Sequence, residues 1–124
     1  MGTWGHNNFD GDTQADHLST LVGNLIKEIE EAMASPAELE PDEYWGCAVP
    51  CNLELLTVIG RNKYAGFHLP KPHVIESWKQ TYMEIWEENI DESGPKADYK
   101  TKRRQVLNKT FDELISLSSE INSQ

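Results

Sequence analysis

The chain lacks any apolar run approaching the ~18 residues of a membrane-spanning helix, which excludes a helix that crosses a bilayer. Its opening, Met1-Gly2-Thr3-Trp4-Gly5-His6-Asn7, has neither the basic nor the apolar region of a secretory signal. A myristoylation signal needs Ser or Thr where His6 stands. The protein is therefore expected in the cytoplasm. Cysteine is scarce: only Cys47 and Cys51 occur, and a loop so short gains little from cross-linking. In a reducing compartment both are expected as free thiols, packed as small buried apolar groups. The nucleophile elbow, the H-E-x-x-H pair, the P-loop and the dinucleotide fingerprint are all missing. Catalysis by those routes has no footing, and the chain does not read as an enzyme. Basic residues are nearly absent from the first 60 positions, where Lys27 stands alone.

What is present points to one packed domain over residues 1–124. That length suits a single core, and four Trp, four Tyr and three Phe can fill it. The net charge of −10 is carried wholly by the first half, in which eleven acids face Lys27. From Arg61 onward ten bases and ten acids cancel. A field of this sign repels nucleic acid, which is bound by neutralising its phosphates, and steers cationic partners inward. The alternative is a solvated surface that aids solubility.

The apolar spacing gives about four helices in a compact all-α bundle. Leu18, Leu21, Val22, Leu25, Ile29 and Met33 form one stripe behind Asp10-Gly11-Asp12-Thr13, which offers side-chain caps. Ser35-Pro36 ends that helix, and the acidic Ala37 to Glu40 reads as a linker. A second helix is expected from about Pro41 to Gly60. It is apolar around much of its circumference (Trp45, Ala48, Val49, Leu53, Leu55, Leu56, Val58, Ile59) and so central and buried. Pro50 predicts a kink or break between Val49 and Asn52. Arg61 to Lys71 reads as a loop. A third helix places Ile75, Trp78, Tyr82, Ile85 or Trp86, and Ile90 on one face, and Asp91 to Pro95 turns the chain. The last runs from about Asp98 to Ile121, with Val106, Leu107, Phe111, Leu114, Ile115, Ser118 and Ile121 inward.

Three clusters carry possible chemistry. Asp10, Asp12 and Asp16 could converge on a cation. The twelve-residue calcium loop does not fit, because its closing Glu would fall on Leu21. The competing expectation is that the aspartates cap the helix while Trp4 and Phe9 anchor the N-terminus. Cys47, Cys51, His68 and His73 loosely match zinc spacing but stand outside any finger or ribbon framework. Lys100 to Arg104, with Tyr99 beside them, are the one hint of nucleic-acid contact, and a solvated helix face is the favoured reading against the net charge. No cofactor and no metal are expected.

The residues Met1-Gly2-Thr3-Trp4-Gly5, Phe9-Asp10-Gly11-Asp12-Thr13 and Ala15-Asp16 resemble the start of the bacterial family called domain of unknown function 4259. The segment from Ala48 to Gly60, Leu69-Pro70 followed by Trp78, and the closing helix with Leu114 and Leu117 resemble it as well. Gln14 and the Cys47 to Cys51 stretch depart from that pattern. The resemblance implies a small helical bacterial protein. By analogy with small acidic proteins of that kind, the expected role is binding: an immunity protein that masks a cationic toxin domain such as a nuclease. The surface expected to dock is Glu38, Glu40, Asp42 and Glu43, with Tyr44 and Trp45 as aromatic anchors. The competing roles are a metal-binding or enzymatic protein using Asp10, Asp12 and Asp16, and a self-associating regulatory module.

Overall fold

The computed structural model describes residues 2–123. Four helices follow in order: α1 (Asp12–Met33), α2 (Tyr44–Arg61), α3 (Pro72–Asn89) and α4 (Ala97–Asn122). Short 3-10 turns at Pro36–Leu39 and Ile90–Ser93 lie between α1 and α2 and after α3. Among the described residues there is no strand, only an isolated bridge between Thr3 and Gly11. The all-α bundle is the expected fold class, and no helix is long and apolar enough to cross a membrane.

The central helix is α2, packed against α1, α4 and the first 3-10 turn, while α3 packs mainly on α4. One apolar core joins all four: Val22 and Ile29 from α1, Val49, Leu53 and Leu56 from α2, Ile75, Trp78, Tyr82 and Trp86 from α3, and Leu107, Phe111 and Leu114 from α4. Tyr82 and Phe111 meet with ring centroids 5.7 Å apart. Asn52 ties α2 to α1, donating to Glu28 Oε1 at 2.9 Å. Trp86 rather than Ile85 takes the fully buried place on α3.

Several local expectations are corrected. The Ala37 to Glu40 stretch is not a free linker: its 3-10 turn buries Leu39 completely, between α1, α2 and α3. Pro50 does not break α2, which runs unbroken through it. Proline has no N–H, so the Gly46 carbonyl loses its usual partner one turn back. The Tyr82 hydroxyl of α3 replaces it, donating to Gly46 O at 2.5 Å. A tertiary contact thus repairs the helix where the sequence damages it.

On α1 the covered stripe is Leu18, Val22, Ile26, Ile29 and Ala32, and Leu21 is turned outward. On α4 Val106 is likewise exposed. Nor is α2 buried all round. Tyr44, Cys47, Cys51, Leu55 and Val58 recur every three or four residues and form one exposed row. The two thiols are free but exposed, not packed inside. The reason is geometric: α1, α4 and the first 3-10 turn pack on α2 and leave this row to solvent.

The aspartates do not cap α1 either. Its N-cap is Gly11, and no side chain caps it. Asp12 Oδ1 accepts from Trp4 Nε1 at 3.0 Å, and Asp10 Oδ2 accepts from the Asn7 N–H at 3.2 Å. Both carboxylates pin the N-terminal loop instead. Phe9 stacks on Tyr64 at 4.3 Å, joining that loop to the one after α2.

Candidate functional site: an acidic turn and the cleft beside it

The chain between α1 and α2 must reverse direction in ten residues while its backbone crosses α2 closely. Gly46 permits the crossing. A Cβ there would collide with the Glu40 carbonyl oxygen and crowd that of Leu39, both immovable backbone. With Leu39 as its buried pin, the turn holds its acids outward. Glu38, Asp42 and Glu43 are exposed and Glu40 is half-buried. Glu40, Asp42 and Glu43 line a small hollow of about 240 Å³ with Asn89, Glu92 and Ser93, and Glu38 lies outside it. Tyr44 is 74% exposed and stands edge-on to the half-buried Trp45, ring centroids 5.0 Å apart. Trp45 packs against the core, so Tyr44 rests on a rigid base.

Beside this hollow lies a larger cleft of about 430 Å³, sharing Pro41, Asp42 and Ser93 with it. Tyr82, Trp86 and Ile90 contribute its inner surface, and Cys47, Tyr99 and Arg103 also line it. Burial pushes the Tyr82 phenol up to about 12, against a smaller lowering by Arg103. At neutral pH this hydroxyl is therefore the proton donor that Gly46 O needs. The Arg104 guanidinium stacks 5.5 Å from the Trp86 ring and hydrogen-bonds both Glu87 oxygens, which holds the Glu87 carboxyl below the usual carboxylate range.

The remaining sequence candidates are not brought together. Among the described residues no three His, Cys, Asp or Glu side chains are placed to hold a metal ion. Cys47, Cys51, His68 and His73 thus form no ligand set, and Asp10 and Asp12 serve as acceptors for the N-terminal loop.

The family model for the domain of unknown function DUF4259 matches residues 2–124. The chain belongs to this family. No curated protein and no solved structure matches it.

The ion pairs of this DUF4259 protein follow the partition of charge along the chain. Six of its ion pairs lie within the second half: Arg61–Glu113, Lys79–Asp112, Lys100–Asp91, Lys102–Asp98, Arg104–Glu87 and Lys109–Glu113. In the first half, among the described residues, only Glu31 meets a cation, at the 4.0 Å contact with Lys27. No ion pair among the described residues joins an acid of the first half to a cation of the second. Sequence reading missed Glu92, which joins the acidic hollow from the turn after α3, and put Arg103 on a solvated helix face, whereas it lines the cleft from α4. Neither has a local signal, because each reaches its site only through helix packing.

Proposed function

We propose that this DUF4259 protein is a cytoplasmic immunity protein that binds a cationic toxin domain, such as a nuclease, and covers its active-site cleft. The observation that carries the reading is the set of exposed acids in the first half that, Glu31 apart, form no ion pair among the described residues. An uncompensated field of this kind steers a basic partner and raises its association rate. Glu38, Glu40, Asp42 and Glu43 form its centre. Tyr44, presented on Trp45, supplies an aromatic anchor of the sort that dominates interface energetics once desolvated.

Co-expression with a basic toxin domain encoded beside it should protect the host cell, and the purified pair should associate at a rate that falls steeply with added salt. Glu40→Lys together with Asp42→Lys should slow association, most strongly at low ionic strength, and Tyr44→Ala should speed dissociation. An unchanged association rate for the double reversal at low salt would refute this mechanism. The apolar row on α2 supports a second reading, self-association of the chain. Sedimentation of the free protein separates the two, since a stable dimer that Leu55→Glu disperses would favour the second.

A further inference from the structure

The cleft between the start of α2 and the start of α4 has a feature that toxin binding does not use. The basic run on α4 contains Lys100, Lys102, Arg103 and Arg104, and all but one of these are engaged: Lys100 with Asp91, Lys102 with Asp98, and Arg104 with Glu87. Arg103, half-buried and lining the cleft, is in no ion pair among the described residues. Arg103 therefore lines the cleft with no carboxylate in ion-pair contact among the described residues, which leaves its guanidinium able to pair with an anion brought by a ligand. The first turns of α2 and α4 both contribute to the lining, through Gly46 and Cys47 and through Tyr99, and neither helix has a side-chain cap. Their positive dipole ends reinforce the same preference.

The rest of the lining narrows the class. Asp42 stands in the same cleft, so a second negative charge would be repelled, and a monoanion is preferred to a phosphate dianion. Tyr99 at the edge, 53% exposed, offers aromatic surface to the body of the ligand, while Tyr82, Trp86 and Ile90 lie behind the cleft floor, almost wholly buried. A volume near 430 Å³ lies within the range for small-molecule sites, roughly 300–1,000 Å³, and holds one ring with its substituent, not a polymer. We infer that this cleft binds a monocarboxylate on an aromatic or apolar body, the carboxylate paired with Arg103 and the ring laid against Tyr99. The same chemistry comes from a free aromatic acid or from the C-terminal residue of a peptide. The cleft shares Asp42 with the acidic turn, but the test below involves no toxin, so its outcome is read apart from the immunity reading.

The test is titration of the full chain with N-acetyl-L-phenylalanine, followed by calorimetry and by NMR shifts of the Arg103 Nε–H and the Tyr99 and Cys47 amides. Saturable 1:1 binding with shifts confined to the cleft is expected. N-acetyl-L-phenylalaninamide, which lacks the charge, should bind at least about tenfold more weakly, and Arg103→Ala should weaken the acid to a similar degree. Arg103→Lys should recover part of the loss, because charge returns without the two-pronged geometry. Thermal melting of both variants should match the parent, since Arg103 makes no ion pair or side-chain hydrogen bond among the described residues. If Arg103→Ala melts early, the acid-against-amide comparison on the parent protein decides alone. A short peptide ending in phenylalanine distinguishes the sources: tighter binding than the free acid assigns the site to a chain terminus, and weaker binding assigns it to a small acid. Absence of saturable shifts at the cleft, equal binding of acid and amide, or tighter binding of phenyl phosphate would overturn the inference.

Discussion

Tyr82 concentrates more of the fold's logic than any other side chain. Its ring is buried against Phe111, and its hydroxyl satisfies a carbonyl that Pro50 leaves without a donor. Tyr82→Phe removes only one oxygen, yet strands Gly46 O, so it should cost about 1–3 kcal/mol in chemical denaturation. Alkali should have a related effect. The folded phenol holds its proton up to about 12, whereas the unfolded chain releases it near 10. The stabilising contribution is therefore complete below pH 10 and is lost as pH climbs through 10 to 12, by on the order of 2–3 kcal/mol at most. Stability curves of the parent and the Phe variant should converge across that window, and parallel curves would refute the assignment. Thr57 presents the opposite case, since its buried hydroxyl has no hydrogen-bond partner among the described residues. Thr57→Val, similar in shape and free of the orphan oxygen, should raise the unfolding free energy by about 1 kcal/mol.

At the scale of the element, α2 is held by its neighbours more than by its own sequence. Pro50→Ala would restore an N–H at position 50 that can reach Gly46 O. The cost of Tyr82→Phe should then shrink, and the double-mutant cycle should show a coupling of about 0.5–1 kcal/mol or more. Additive costs would mean that the hydroxyl does not replace the missing helical bond. The acidic turn depends on the same helix. Gly46→Ala pushes a methyl into the Glu40 and Leu39 carbonyls and should cost about 1–3 kcal/mol. Amide exchange near Leu39 should accelerate alongside, because the turn that buries it can no longer lie flat on α2. Glycine matters for a different reason at Gly66, where φ is +96° and the backbone abuts the Ala15 carbonyl of α1.

The whole molecule carries its charge asymmetrically, and that has a consequence without any partner. The first-half acids repel one another with nothing nearby to offset them, so added salt should raise the melting temperature by screening that repulsion. Glu40→Gln with Asp42→Asn should raise it at low salt and have less effect at high salt. A melting temperature that falls with salt would mean that the surface ion pairs of the second half dominate instead. Such exposed pairs are individually weak, which is why the opposite trend is expected.

Periodicity made α1, α3 and α4 legible to within a few residues, because each needs only one covered stripe and the spacing of Leu18, Val22 and Ile29, or of Ile75, Trp78 and Tyr82, declares it. The edges of those stripes were not legible. Leu21 and Ile26 are both strongly apolar, and only the packing of α1 on its neighbours selects Ile26. The exposed thiols, the outward row on α2 and the burial of Leu39 escaped for the same reason, as did the aspartates that hold a loop instead of capping a helix.

The composition of this chain settles by itself that the fold is helical and that all of the excess negative charge lies before Arg61, since both follow from residue identity and order. Packing alone decides which charges find partners, which carbonyl Tyr82 rescues, and that Arg103 reaches a cleft with none. Those outcomes depend on distances between helices, set by how side chains interlock across the core.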